Sequence, residues 1–249
     1  MSGPDPRRDA ARDRVAAAAL ELVADGMAIG LGTGDTARRF IAALGVRARE
    51  RSLTLTCVAT SEATAAQARA AGLVIRPLPE VDRLDVAFDG ADEVDPQLDL
   101  VKGGGGAQTR ERIVAASAAS FVVLVDEGKL VPVLGVGFPV AVEVVPEAVR
   151  LAARRLAALG AVPSRRPATA GGEAPFVTDL GHWIVDARFP RIDDPATLSA
   201  ALDAIPGVVG HGLFAGLATL VLVGELATPE VRRLPRAPHL RSFPQGVTP

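Results

Sequence analysis

Four short segments of this 249-residue chain hold the residue types that proton transfer and anion binding require. The densest is Lys102-Gly103-Gly104-Gly105-Gly106-Ala107-Gln108-Thr109-Arg110-Glu111. Four consecutive glycines are costly to order, so a purely structural role explains them poorly. Their N–H groups and the Lys102 ammonium can form a preorganised pocket for a developing oxyanion. Glu111 falls in the first turn of the helix expected next, where the helix dipole favours its ionised form. An ionised carboxylate beside an oxyanion pocket is suited to removing a proton next to a carbonyl. A surface glutamate at a helix start is common, and only the neighbouring glycines and lysine set that reading aside.

The second segment is Asp89-Gly90-Ala91-Asp92-Glu93, directly after an apolar run, Leu84 to Phe88. Carboxylates at the carboxyl end of a strand can shuttle protons or hold sugar hydroxyls; a solvated acidic turn or a cation site are the alternatives. The calcium-loop pattern fails for want of a glycine at its sixth position. His182, His211 and His239 are scattered, so no transition-metal ligand set is visible. The third segment, Gly30-Leu31-Gly32-Thr33-Gly34-Asp35-Thr36, lies between an apolar run and a helical pattern. It suits a small-molecule phosphate at a helix N-terminus, and it suits a tight structural turn about equally. Its spacing is not that of a dinucleotide loop. The fourth, Val125-Asp126-Glu127-Gly128-Lys129, would set a lysine on the same rim of the sheet. Of 27 basic residues only Lys102 and Lys129 are lysines. A compact ammonium at both places, or a GC-rich genome, accounts for that bias.

The elements that must position these residues are legible in outline. Helical patterns cover Arg12 to Asp25, Ala37 to Leu44 (stopped by Gly45), Ser61 to Ala71 and Thr109 to Ala119. Strand-like runs cover Met27–Leu31, Leu53–Ala59, Leu73–Arg76, Leu84–Phe88 and Phe121–Val125. Strands alternating with helices predict a mostly parallel α/β sheet, buried on both faces. The pattern changes near Gly135. Phe138–Val144, a helix from Pro146 to Leu159, paired strands at Phe176–Thr178 and Trp183–Asp186, and a helix from Pro195 to Ala204 predict an inserted smaller α+β unit of split β-α-β type. Val209–Phe214 and Leu217–Val223 then return to the first sheet. The expected domains are 1–135 with 210–232, 136–209, and an irregular tail over 233–249, the prolines from Pro229 onward marking irregular chain.

Bulk properties narrow the classes. The chain is 49% hydrophobic and 22% charged, with a net charge of −2, which argues against a nucleic-acid surface. The pairs Arg165-Arg166 and Arg232-Arg233 read as solvated surface. A single cysteine, Cys57, fits a reducing compartment and reads as a buried strand residue. A polar start over Met1–Asp13 and the lack of a long clean apolar run point to a cytoplasmic protein with no membrane partner.

Taken in order, these segments resemble the ribose-5-phosphate isomerase A family from about Ala16 to Val223. DGADE followed by KGGGGAQTRE carries the resemblance, with Thr60-Ser61-Glu62-Ala63-Thr64, Ile205-Pro206-Gly207-Val208-Val209 and Gly212-Leu213-Phe214. It implies a Rossmann-like domain with a smaller α+β domain, assembled as a homodimer or homotetramer. It also implies interconversion of D-ribose 5-phosphate and D-ribulose 5-phosphate through a cis-enediolate, with no cofactor and no metal. By the resemblance Glu111 is the base, and Asp89 serves ring opening and hydroxyl proton transfer. Asp92, with Gly90 and Ala91 beside it, contacts the substrate, while Lys102 and Gly103, Gly104 and Gly105 stabilise the enediolate. Thr33, Gly34, Asp35, Thr36 and Lys129 hold the sugar phosphate. One departure stands out: the family's phosphate loop usually carries serine where this chain has Asp35. A carboxylate there would repel a dianion and raise KM, unless Asp35 is a helix N-cap turned away from the ligand. A non-catalytic sugar-phosphate sensor would have lost the base or the enediolate pocket, and both are present. An isomerase of a related phosphosugar would share the same chemistry.

Overall fold

The computed structural model describes residues 5–236, and the expected irregular tail lies outside them from residue 237 onward. In chain order the first elements are α1 (Pro6–Leu20), β1 (Ala28–Leu31), α2 (Asp35–Glu50), β2 (Thr56–Ala59) and α3 (Glu62–Ala70). Next come β3 (Val74–Ile75), β4 (Leu84–Asp89), β5 (Glu93–Val94), β6 (Leu100–Val101), α4 (Gln108–Ser117) and β7 (Ala118–Asp126). Then follow β8 (Val140–Val144), α5 (Val149–Ala158), β9 (Val162–Arg165), β10 (Trp183–Arg188) and α6 (Pro195–Asp203). The last are β11 (Val208–His211), β12 (Leu213–Phe214), β13 (Leu220–Gly224) and β14 (Val231–Pro235). The chain divides into two compact units.

The first unit comprises residues 5–91, 113–130 and 217–236. Its seven-stranded sheet runs β14-β13-β7-β4-β1-β2-β3, parallel throughout except for the β13–β14 pair. The chain leaves β1 toward β2 on one side and returns to β4 on the other. The carboxyl ends of β1 and β4 therefore flank a topological switch point, where an open α/β sheet forms its ligand crevice. This is the expected Rossmann-like arrangement. Phe40 of α2 packs on Phe88 of β4, ring centroids 4.5 Å apart, within a core that includes Leu31, Ile41, Leu44 and Leu124.

Two expectations for this unit are corrected. α2 does not stop at Gly45 but continues to Glu50. A Cβ on Gly45 would lie 2.5 Å from the Ala71 carbonyl oxygen, so this glycine serves close approach of two segments rather than termination. The expected irregular chain after Thr228 includes β14, an antiparallel edge strand whose one proline, Pro235, falls at its end and leaves the pairing with β13 intact. α1 also begins earlier than its apolar pattern, at Pro6, because Asp5 accepts the Arg7 N–H (3.0 Å) as N-cap and proline suits the first helical position.

The second unit comprises Asp92–Arg112 and Val131–Gly216. Asp92–Arg112 thus belongs with it and not with the first unit, and the chain rejoins the first unit only at Leu217. Its antiparallel sheet runs β11-β8-β10-β9, the order of two interleaved split β-α-β motifs. Ala152 and Leu156 of α5 and Leu202 of α6 pack with Val142, Val144, Val185 and Ala187 in its core. Val209–Phe214 does not return to the first sheet. Its first part pairs with β8, and Leu213–Phe214 pairs with β6 in a three-stranded sheet, β12-β6-β5. The expected strand at Phe176–Thr178 reduces to a single bridge, Val177 to Trp183.

His211, at the end of β11, is wholly buried. Its Nδ1 accepts the Leu213 N–H (3.2 Å), and its Nε2 lies 2.9 Å from Arg112 Nη1 and 3.2 Å from Asp203 Oδ1. Burial, then the Arg112 charge, lowers its pKa to about 4, against the opposing pull of Asp203. A histidine in the unfolded chain titrates near about 6.5, so the unfolded chain binds this proton first as pH falls. The stability contributed by the neutral ring is complete above the unfolded value and is lost on the way down to the folded one. At about 1.4 kcal/mol per pKa unit, the loss is on the order of a few kcal/mol. Thermal melts across this window should show Tm falling with pH, and the slope should flatten in His211→Gln. An unchanged slope in the variant would exclude His211 as its source.

Candidate active site

In the first unit, Asp89 ends β4 and is buried. Its Oδ1 accepts the backbone N–H groups of Thr33 (3.1 Å) and Gly90 (2.8 Å). A Cβ on Gly32 would lie 2.1 Å from the Asp89 carboxyl carbon, so only glycine lets the loop after β1 close over this carboxylate. The loop is tied down by hydroxyls. Thr33 Oγ1 lies 2.8, 2.9 and 3.0 Å from the hydroxyls of Thr60, Ser61 and Thr64, and Thr64 donates to the Gly32 carbonyl (3.0 Å). The segment Thr60–Thr64 thus serves the loop from β2 and α3, with Ser61 as the N-cap of α3. Gly34 is in the left-handed region (φ +122°) and is exposed, as is Asp35, while Thr36, Gly90 and Ala91 are half-buried.

Asp35 is not an N-cap. Gly34 holds that position, and Asp35 is the first residue of α2. Its carboxylate pairs with Arg12 (2.9 Å), Arg38 (2.5 Å) and Arg39 (3.4 Å). Burial pushes its pKa up, but the Arg38 hydrogen bond and the charges of Arg39, Arg38 and Arg12 outweigh it, holding Asp35 below the ordinary carboxylate range. Arg12 also donates to Asp126 (3.2 Å), a buried carboxylate at the end of β7. Asp126 caps the turn that carries half-buried Lys129 by accepting the Gly128 N–H (3.1 Å). Cys57 lies buried in β2, and burial raises its thiol pKa to about 12, which removes it as a nucleophile at neutral pH.

In the second unit, Lys102 follows β6 and its Nζ lies 3.2 Å from Glu111 Oε2. The side chains are 3% and 5% exposed. The ammonium also sits 5.7 Å from the centre of the Phe214 ring. The Lys102 backbone N–H donates to Gly212 (2.7 Å), and a Cβ on Gly212 would lie 1.9 Å from the Lys102 carbonyl oxygen. Glu111 stands in the first turn of α4, its N–H donating to the Ala107 carbonyl (2.9 Å). The glycine run between them is clamped. The Gly103 carbonyl accepts from Arg166 (2.8 Å), and the next N–H, that of Gly104, donates to Asp92 Oδ2 (2.9 Å). One peptide is thus held between a cation and an anion. Two N–H groups of the run have partners within the protein: Gly104 serves Asp92, and Gly106 donates to the Gly103 carbonyl (3.1 Å). Gly105 is exposed.

The structure therefore brings Thr33, Asp89 and Gly90 together in one unit, and Asp92, Lys102, Gly103, Gly104 and Glu111 in the other. Two contributors escape sequence reasoning. Arg166 is not solvated surface: it pairs with Asp186 as well as holding Gly103, 63 positions away. Glu93 is buried and accepts the N–H groups of Gly135 (2.6 Å), Gly137 (2.5 Å) and Phe138 (2.8 Å). Its place in DGADE was the available signal, whereas nothing in the sequence marks Arg166. Among the described residues, no three His, Cys, Asp or Glu side chains gather as metal ligands. No helix among them is long and apolar enough to cross a membrane.

A buried ammonium beside a buried carboxylate, next to a fixed glycine run, is a set of groups suited to proton transfer and charge stabilisation. The comparisons carry this to a family. A family model described as ribose 5-phosphate isomerase A (phosphoriboisomerase A) matches residues 56–227. The chain is 49% identical to a ribose-5-phosphate isomerase A from Roseiflexus sp. strain RS-1, over 89% of this chain and 97% of that one. A solved D-ribose-5-phosphate isomerase in complex with phospho-erythronic acid superposes with a TM-score of 0.88 at 40% identity, covering 92% of this chain and 99% of that one. The ribose 5-phosphate isomerase A of Methanocaldococcus jannaschii gives 0.87 at 43%, covering 91% and 99%. The chain belongs to the ribose-5-phosphate isomerase A family, and it is an isomerase of ribose 5-phosphate and ribulose 5-phosphate.

The Arg166 clamp yields a prediction. A hydrogen bond from a charged donor is worth about 2 kcal/mol, so Arg166→Met should lower kcat/KM by about tenfold or more. Steady-state kinetics measures this, and an unchanged kcat/KM would show that the Gly103 carbonyl needs no such partner.

Proposed function

We propose that the isomerisation runs through a cis-enediolate with Glu111 as the base and Lys102 as the group that holds the enediolate charge. The observation that carries this reading is the buried Lys102–Glu111 pair, 3.2 Å apart. In the open-chain aldose, Glu111 takes the proton from C2 and the electron pair forms the C1–C2 double bond. Negative charge then collects on the former carbonyl oxygen. Lys102 can exchange its partner, from the Glu111 carboxylate that has just been protonated to the oxyanion that has just formed. Glu111 then returns its proton to C1, while the hydroxyl proton on O2 moves to O1. Asp89 suits that second transfer, and ring opening before it, because its carboxylate is fixed by two N–H groups and ends a strand at the switch point. The family resemblance assigns Asp92, Gly90 and Ala91 to substrate contact, and Gly103, Gly104 and Gly105 to the enediolate with Lys102. Thr33, Gly34, Asp35, Thr36 and Lys129 form its phosphate end. The phospho-erythronic acid carried by a solved relative supports a phosphorylated sugar chain as the ligand. The same proposal includes a cytoplasmic setting, supported by a lone buried cysteine, and assembly as a homodimer or homotetramer, supported by the family resemblance.

General-base catalysis contributes about 10²–10⁴-fold, so Glu111→Gln should lose kcat on that scale with KM little changed. Activity in excess EDTA should match that without it. Full turnover by Glu111→Gln would remove the base, and loss of activity in EDTA would remove the metal-free route.

Asp35 bears on affinity. Its three guanidinium partners are cations gathered at the first turn of α2, and a carboxylate that engages them competes with a substrate phosphate. Asp35→Ser should therefore lower KM by several-fold, about 1 kcal/mol, with kcat unchanged. Because the Asp35 pKa is lowered, its charge persists through the neutral range and the difference should not vary with pH there. An unchanged KM would show that the arginines already neutralise the carboxylate.

A further inference from the structure

Glu143, the last residue but one of β8, is 1% exposed and belongs to no part of the site described so far. A buried carboxylate is costly unless donors surround it, and this one has three. Thr109 Oγ1 donates to Oε2 in a short hydrogen bond, Thr178 Oγ1 donates to Oε1 (2.6 Å), and His182 Nδ1 lies 3.2 Å from Oε1. Thr109 and Thr178 are themselves buried. A second feature holds Thr109 in place. A Cβ on Gly210 of β11 would lie 2.4 Å from Thr109 Oγ1, so this position stays open for the hydroxyl only as glycine. The strand is irregular just there, with a register shift between Val208 and Gly210.

Thr109 is the second residue of α4, two positions ahead of Glu111. Side chains two apart on an α-helix point about 200° apart. Anchoring the Thr109 face therefore sets the rotation of the first turn about the helix axis, and with it the direction of Glu111 on the other face. A carboxylate about 6 Å from the axis moves about 2 Å when the turn rotates by about 20°, and misplacement on that scale costs about 10²-fold in rate. We infer that Glu143, acting through the Thr109 hydroxyl, is a positioning residue that aims Glu111 at the substrate. The inference rests on the reading of Glu111 as the base.

The test compares Thr109→Val, Thr109→Ser, Glu143→Gln and the Thr109→Val/Glu143→Gln double variant in the full-length protein, with kcat, KM and Tm for each. Thr109→Val keeps the shape and removes the donor; it should lower kcat by about tenfold with KM within about twofold. Thr109→Ser restores the donor and should recover most of the lost kcat, which a role in packing alone would not produce. The double variant should be no slower than the slower single one, since both break one linkage. If Glu143→Gln fails to fold, the Thr109 pair decides the matter alone. An unchanged kcat in Thr109→Val, equal losses in the serine and valine variants, or additive losses in the double variant would each overturn the inference. Glu111→Gln assayed alongside separates the two claims. Full activity there removes the base and this role with it, while lost activity there with an intact Thr109→Val removes only the positioning.

Discussion

A lysine and a glutamate held 3.2 Å apart, with almost no solvent on either, are the constraint around which the second unit is arranged. Neither charge can be stranded, because an unpaired ion away from water costs several kcal/mol. The pair therefore has to be delivered together, by two segments fixed independently. Lys102 is delivered by β6, whose next backbone N–H is taken by Gly212, and the approach is so close that position 212 admits no side chain. Glu111 is delivered by the first turn of α4. The glycines between them absorb the geometric mismatch, and the Arg166–Gly103 and Gly104–Asp92 hydrogen bonds remove the freedom that glycines would otherwise keep. What looks like a flexible run is a restrained one.

The first unit meets a different requirement with similar means. Its crevice lies where the strand order reverses, and the residues that reach it come from the ends of β1 and β4. Asp89 stays close to the loop after β1 because Gly32 leaves room for it, and the loop stays in place because four hydroxyls share one cluster. The backbone amides of Thr33 and Gly90 donate to the Asp89 carboxylate. Cations gather around Asp35, the first residue of α2, where Arg12 links it to Asp126. Of the Asp89 and Asp35 carboxylates, the first lies in the interior with amides among its donors, and the second is engaged by guanidinium groups at the surface.

Much of this was legible from residue order alone. The alternation of apolar runs with helical patterns located nearly every strand of the parallel sheet, because strands buried on both faces carry unbroken apolar runs. The chemistry-bearing segments were legible for the same reason that they work: four glycines and an isolated lysine have no cheap structural explanation. Errors arose where a residue's role is set by distant chain. Gly45 looks like a helix stop, yet the Ala71 backbone beside it explains the glycine. Arg166 looks like solvated surface until Gly103, far off in sequence, supplies a carbonyl. Val209–Phe214 has the composition of a buried parallel strand, but its partners are β8 and β6. Local pattern reports burial well and identifies the partner poorly.

The β14 edge strand has a bearing on how the sheet avoids pairing with other chains. A parallel sheet ends in a row of unpaired amides, a template onto which another extended chain can add. Here the sheet is closed on one side by an antiparallel strand that offers Arg232 and Arg233 at its centre, both exposed and paired with Glu225 and Glu21, and then a proline that has no amide to give. On the other side β3 is two residues long. Neither margin offers a long, flat, apolar run, so among the described residues the largest sheet in the molecule is guarded at both ends against uncontrolled growth.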